Sequence, residues 1–414
     1  MIRACHARPA ASEISVLTDP KPTAEVPARA EILGRAMAIR ERIAARAVDS
    51  ERARRLDPDA VAAMTEAGIW RLLAPRRYGG YEATLRTQME TTAILAQAYP
   101  AAGWLQVVLG GHSWILGSFA ERCQDEVFGN GADVRIPGTL AAQGKAVTVD
   151  GGWRLSGRWQ FCSGVDHGDW LLIGAVADQL PSSPDRSLHV VVPKAELEVD
   201  DTWYSLGLRG TGSKDIVAHD AFVPAHRAMP SRMLFEGRSP HAELQETGLY
   251  RLPVLSGLAL QLGGAMLGIA RRAIELHVER TRTRLEIYTK NSKAQSAGTQ
   301  SRIAESAAET LTAELLLGRA ADEFERIAAS GELATIPERA ELKWNAAYAV
   351  ELCRRAVERI FAASGAHAVY DDSHLQTLFR DMNTACHHAA VDFDGTAELF
   401  GRLALGLPLG TSLV

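Results

Sequence analysis

Residues 150–177 read DGGWRLSGRWQFCSGVDHGDWLLIGAVA. The pair Gly151-Gly152 suits a tight hairpin turn, because glycine reaches backbone angles closed to other residues. Trp153, Leu155 and Gly157 alternate with Arg154, Ser156 and Arg158, the period-two pattern of a half-buried strand. Phe161-Cys162-Ser163-Gly164 breaks that alternation with small and polar residues. From Trp170 to Ala177 the chain is almost wholly apolar, as a buried strand should be. Ser163 stands at the break between two predicted strands, with its hydroxyl and the neighbouring amides available to a ligand. On its own, a serine in that position is an ordinary turn residue.

Further strand-like runs lie at 146–149, 188–192 and 216–223, with Pro181 and Pro184 marking a loop between two strands. LGLRGTGSKDIVAHDAFVPAHR, residues 206–227, closes this β region. Its Gly207, Gly210 and Gly212 are expected at positive φ, and no P-loop or GxGxxG frame accompanies them. Upstream the pattern is helical. Ile32, Ala36, Ile39, Ile43 and Ala47 recur at helical spacing, and Asp57-Pro58 reads as an N-cap followed by the first helical residue. Two further helices, separated by Pro100, are predicted over 87–128, and they hold Trp104 and His112. Downstream of Val254 the chain is helical again. Gly257, Gly263, Gly264 and Gly268 suit closely packed helices. Ile303, Ala307, Leu311 and Leu315 form one predicted apolar face, and Ala346, Val350, Cys353, Val357, Ile360 and Ser364 another.

Composition excludes several classes. The 414 residues carry a formal net charge of −5, so nucleic acid is not an expected partner. No apolar run is read as reaching the roughly 18 residues of a membrane span, and the N-terminus lacks a signal-peptide core. The five cysteines, Cys5, Cys123, Cys162, Cys353 and Cys386, show no CxxC spacing, so neither a disulfide framework nor a metal site is expected. A reducing cytoplasm is the expected compartment.

GGWRLSGRWQFCSGVDHGDW resembles the signature of the oxygenase components of two-component (group D) flavin-dependent monooxygenases, which are built on the acyl-CoA dehydrogenase fold. GIWRLLAPRRYGG (68–80) and LGLRGTGS (206–213) resemble further motifs of that fold, and the resemblance spans residues 54–408. It implies a mainly α protein with a central β domain: a loose tail (1–27), an N-terminal helical domain (28–132), a middle β-barrel or sheet domain (133–232) and a C-terminal four-helix bundle (233–414). It also implies a flavoprotein hydroxylase that takes reduced FMN or FAD from a separate NAD(P)H:flavin reductase. With O2 the flavin forms a C4a-hydroperoxide that hydroxylates a small, phenolic or fused aromatic substrate. Ser163 is then expected at the flavin N5 edge, with Phe161, Cys162 and Trp104 against the ring. His388 is expected near C4a, titrating in the working pH range, and His112 on a substrate hydroxyl. Arg282 is expected on flavin phosphate, beside Ser364-Gly365 at a contact in a homotetramer.

Residues 379–408 separate branches of the fold. Acyl-CoA dehydrogenases commonly place a catalytic Glu nine residues after the Arg of an R-D motif, to take an α-proton from a thioester. Counting from Arg380, that position here is Ala389, which cannot take a proton, and His388 precedes it. Some dehydrogenases carry the Glu on an earlier helix, so Glu275 and Glu286 keep an acyl-CoA dehydrogenase or oxidase as a rival. The others are an N-oxygenase of an amine or amino sugar on the same fold and a non-catalytic helical scaffold.

Overall fold

A computed structural model describes residues 26–180 and 185–410. The predicted N-terminal tail lies outside the described residues except for 26–27, and so do Pro181 and Pro184. Val26 packs against the main core.

The chain runs helices, sheet, helices. Helices α1 (Arg29–Ala38), α2 (Arg40–Ala44), α3 (Ala47–Ala53) and α4 (Pro58–Glu66) come first. The apolar spacing read as one helix is therefore three, broken at Ile39 and Arg46. Asp57 caps α4 as expected, accepting the Asp59 amide, with Pro58 at the first turn. Next come α5 (Leu85–Ala98), α6 (Pro100–Leu105), a π turn (Gln106–Gly110), α7 (Gly111–Leu116) and α8 (Glu121–Phe128).

The strands are β1 (Gly138–Val149), β2 (Gly152–Cys162), β3 (Trp170–Ala177), β4 (Ser187–Pro193), β5 (Glu198–Asp200), β6 (Lys214–Pro224) and β7 (Ala228–Pro230). They form one sheet in the order β5-β6-β2-β1-β3-β4-β7, antiparallel except for the β1–β3 pair. Asp150 and Gly151 turn the β1–β2 hairpin, Gly151 at φ +76°. Leu155, Trp159, Ile173, Val190 and Ile216 fill the core on one face of the sheet.

A short helix, α9 (Ser231–Phe235), leads to α10 (Val254–Thr283), α11 (Ala297–Ser330), α12 (Ile336–Ala363), α13 (His374–Ala385) and α14 (Phe393–Ala404). A β-carbon on Gly264 or Gly268 would lie 2.5 or 2.3 Å from the α5 carbonyls of Met89 and Ala93, so these glycines let α10 lie directly on α5. Helix α10 is long and apolar enough by composition to span a bilayer, contrary to the reading of the sequence. However, 83% of its apolar window is buried inside the protein, where it is the central core helix.

The face predicted for α12 is buried: Ala346, Val350, Cys353, Val357 and Ile360 all lie in the core. The face predicted for α11 is not. Ser306, Thr310, Ala313, Leu317 and Phe324 point inward, while Leu311 and Leu315 are 56% and 65% exposed. An apolar stripe thus faces outward from α11.

Candidate active site

Strand β2 ends where its partner β6 begins, and the register slips between Trp159 and Cys162. That bulge turns Phe161 outward at φ +64°, a strained region for a residue with a β-carbon, and leaves its ring 62% exposed. The ring meets Trp203 edge-on at 6.3 Å. Cys162, next in line, points the opposite way into the sheet core, fully buried, and burial pushes its thiol well above the usual range. The expected cofactor contact of Cys162 is therefore corrected to its backbone at most.

Ser163 is buried and bonded on two sides. The Trp104 indole N–H donates to its Oγ at 3.2 Å, and its Oγ lies 2.7 Å from Ser213 Oγ. Ser213 Oγ lies 2.6 Å from Thr211 Oγ1, whose hydroxyl donates to the Leu208 carbonyl at 2.8 Å. Leu208 sits in the left-handed region at φ +51°, its amide held by Asp381 Oδ1 at 2.6 Å. Asp381 is fully buried, and burial, then the nearby Glu51 carboxylate, pushes its pKa up to about 7.

Only Gly212 of the three loop glycines has positive φ (+55°). The other two are required for close approach. A β-carbon on Gly207 would lie 2.3 Å from the Arg380 carbonyl, and one on Gly210 2.1 Å from the Tyr99 hydroxyl.

Trp104 connects the serine to His388, whose ring it meets at 5.5 Å and 70°. His388 caps a short 3₁₀ turn, and its Nδ1 accepts the Ala390 amide at 3.1 Å. A backbone amide can only donate, so Nδ1 is bare and the neutral ring carries its proton on Nε2. Burial pushes the His388 pKa down to about 4, below the working range expected from the sequence. Its neighbour His387 faces solvent.

His112 lies eight residues beyond Trp104, about two helical turns. The π turn between them reorients the side chains that follow it, a device common at functional sites. No sequence signal marked it. The His112 Nδ1–H donates to the Ile136 carbonyl at 2.8 Å, so Nε2 is the bare acceptor, and burial pushes its pKa down to about 4.

Arg282 is exposed in the last turn of α10. The arginine that reaches the Ser364-Gly365 turn is Arg284, which donates to the Ser364 carbonyl. Ser364 is buried and accepts from His277 Nδ1 at 2.8 Å while donating to the Ile360 carbonyl at 2.7 Å. His277 Nε2 is buried without a partner. Arg280 stands nearby, its pKa lowered by burial and by Arg284.

The carboxylates that kept the dehydrogenase reading open, exposed Glu275 and half-buried Glu286, are each held in a local ion pair. Glu275 pairs with Arg272 at 3.2 Å and Glu286 with Lys293 at 2.8 Å. A groove of about 1060 Å³ opens elsewhere, among Glu51, Tyr99, Arg209 and Arg380. It does not include Ser163, Trp104 or His388, and its Arg380 and Glu51 already pair at 3.1 Å. The Ser163 cluster is a candidate site by its donors and acceptors, not by volume.

Residues 260–393 match the family model described as acyl-CoA dehydrogenase, C-terminal domain. Over 371 residues the chain is 30% identical to the flavin-dependent monooxygenase oxygenase subunit HsaA of Rhodococcus jostii, covering 89% of this chain and 97% of that protein. It is 30% identical over 373 residues to the oxygenase component of p-hydroxyphenylacetate 3-hydroxylase from Acinetobacter baumannii, covering 90% and 88%. XiaF from Streptomyces, solved with FADH2 and glycerol, superposes with a TM-score of 0.86 at 29% identity, covering 92% and 97%. The chain belongs to the oxygenase components of flavin-dependent monooxygenases.

As an oxygenase component of this family it works on reduced flavin and O2. Its own residues fit a flavin on three counts: an exposed aromatic face at Phe161, one unused lone pair on Ser163 Oγ, and a cationic group with the orphaned His277 nitrogen beside Ser364.

Proposed function

We propose that this oxygenase component hydroxylates a small phenolic or fused aromatic substrate. It takes reduced FMN or FAD from a separate NAD(P)H:flavin reductase. The observation that carries the reading is the cluster of Ser163, Trp104 and His388, with the acceptor nitrogen of His112 further along the same helical run. The name of the Acinetobacter relative, a hydroxylase of a phenol, supports the substrate class, and the FADH2 in XiaF supports FAD as one of the two flavins.

When bound, reduced flavin supplies the electrons that activate O2. The chain's part is positional. Phe161 lies against the ring, and Ser163 meets its N5 edge. Neutral His388 donates from Nε2 on the side where oxygen reacts, and its proton stays in place through neutral pH. His112 accepts the phenol O–H at Nε2, which orients the substrate and raises electron density on the ring carbon to be oxygenated. With its pKa near 4, His112 holds that proton in a hydrogen bond and does not remove it outright.

Arg282, with Arg280 and Arg284, binds flavin phosphate across a subunit contact in a homotetramer. Support comes from the outward apolar stripe of Leu311 and Leu315 and from the protruding Ile287 and Tyr288, surfaces of the kind that assembly covers. The free thiols Cys123, Cys162 and Cys353 are buried and unpaired, which suits the cytoplasm.

The decisive experiment supplies chemically reduced flavin and O2 to the purified protein with a panel of phenols, and identifies the product. Oxygen consumption with a hydroxylated phenol is expected, from a nearly colourless preparation that sediments as a tetramer. A preparation holding stoichiometric oxidised FAD that bleaches with an acyl-CoA thioester would overturn the reading.

A further inference from the structure

We propose that Ser213 and Thr211 are positioning residues that make Ser163 an acceptor only, and that the site thereby selects reduced over oxidised flavin. The inference rests on the reading that Ser163 meets the flavin N5 edge.

The direction of the hydroxyl chain follows from counting protons. A carbonyl cannot donate, so Thr211 must spend its only hydroxyl proton on the Leu208 carbonyl, 2.8 Å away. That carbonyl also accepts the Trp203 indole N–H at 3.1 Å and the Thr211 amide at 3.0 Å, and it has no proton to return to the hydroxyl. Thr211 Oγ1 must therefore accept across the 2.6 Å contact, which commits the Ser213 proton. Ser213 in turn must accept across its 2.7 Å contact, which commits the Ser163 proton. The Trp104 N–H takes one lone pair of Ser163 Oγ at 3.2 Å. A single lone pair remains, and no proton.

The two flavin states differ at this atom. Reduced flavin carries a hydrogen on N5 and oxidised flavin carries a lone pair. An acceptor-only Ser163 bonds the first and opposes the second. Oxidised flavin could be bonded only if the whole chain reversed, and Thr211 has no other carbonyl to release. All three residues are buried, so the hydroxyls bond chiefly to one another. For an enzyme loaded with reduced flavin from a reductase, such a polarity favours arrival of the competent form and departure of the spent one.

Ser213→Ala removes the acceptor of the Ser163 proton and frees that proton for the ligand, and Thr211→Val frees the chain to reverse. The ratio of dissociation constants, oxidised over reduced, is measured by titrating FAD and FMN into each variant, anaerobically with dithionite for the reduced form. One exchanged hydrogen bond is worth about a tenfold change in that ratio. Ser213→Ala and Thr211→Val are expected to lower the ratio by about that factor, chiefly by tightening oxidised flavin, while Ser213→Thr keeps the wild-type ratio. A merely structural role would weaken both states equally, and circular dichroism with a melting curve identifies an unfolded variant. Thr211→Val acts at a distance from the ligand, so it keeps the test open if Ser213→Ala misfolds. If Ser163→Ala changes the ratio and neither relay variant does, the relay has no such role. If Ser163→Ala leaves both affinities unchanged, the reading of the N5 contact falls and the inference with it.

Discussion

At the residue scale, the chemistry of the site is set by which nitrogen of each histidine is bare. His388 has its Nδ1 occupied by the Ala390 amide, and His112 has its Nδ1 proton on the Ile136 carbonyl. One ring therefore presents a donor and the other an acceptor, and both stay neutral because burial holds their pKa near 4. Both residues were candidates in the sequence, which carries no information on their tautomers, since the amide and the carbonyl that fix them come from backbone geometry. A neutral His388 predicts a flat profile. Stopped-flow mixing of the reduced holoprotein with O2 should give a rate free of any His388 inflection from about pH 6 to about pH 9, a window that includes the ordinary imidazole pKa of about 6.5. His388→Ala should slow that reaction at every pH in the window, and His388→Gln, which keeps an N–H donor, should restore part of the rate. An inflection near pH 6.5 that disappears in His388→Ala would mean that the ring charges during turnover and that its role as a neutral donor is wrong.

At the element scale, the site depends on one loop, residues 207–213, held between the sheet and α13. Its glycines were legible as necessary and misread as to cause: Gly207 and Gly210 are there so that Arg380 and Tyr99 can approach, a tertiary fact with no local pattern. The outward stripe on α11 was misread for a related reason. Periodicity finds an apolar face without saying whether the chain's own core or another surface covers it. The alternation of β2 and the apolar run of β3 were read correctly because each strand's burial follows its own residues. The pin at the loop's far end is Asp381, whose Oδ1 holds the Leu208 amide while Oδ2 has no partner. Asp381→Asn keeps the acceptor and removes a buried charge beside Glu51. Asp381→Ala leaves the Leu208 amide buried and unpaired, a loss of about 1–3 kcal/mol. The folded pKa of Asp381, about 7, lies above the ordinary value of about 4, so wild-type stability from this group is complete below about pH 4 and is lost as pH rises from there through about 7. Urea unfolding should thus find Asp381→Asn gaining on wild type between about pH 4 and about pH 7 and holding a constant lead above that, with Asp381→Ala below both. Equal midpoints for wild type and Asp381→Ala would mean that Asp381 does not pin the loop.

At the scale of the whole molecule, the same burial that keeps the histidines neutral ties stability to pH. His112, His167, His189 and His388 all have folded pKa values pushed down to about 4 by burial. His189 is fully buried, donates to the Leu140 carbonyl at 3.1 Å and accepts the Ser231 hydroxyl at 2.8 Å, so protonating it would also break a bond. For a histidine whose folded pKa lies below the unfolded value of about 6.5, the unfolded chain binds more protons between the two values. The stability it contributes is complete above about 6.5 and is lost as pH falls toward about 4. Each such group contributes a slope of at most about 1.4 kcal/mol per pH unit inside that window. Asp381 acts in the opposite sense over the same range, since its raised pKa favours the folded state in acid, but it is one group against four. Carboxylates held low by arginine partners, such as Asp59 and Glu236, titrate further into acid. The interval from about pH 7 to about pH 5 therefore reports the histidines net of the opposing Asp381. At fixed protein concentration, so that assembly does not shift the result, the urea midpoint should fall steadily across that interval. His189→Gln keeps a donor for Leu140 and an acceptor for Ser231 without titrating, so it should remove about a third of the slope. A midpoint that stays constant from about pH 7 to about pH 5 would mean that these histidines are already protonated in the fold, and the donor and acceptor assignments at His388 and His112 would fail with it.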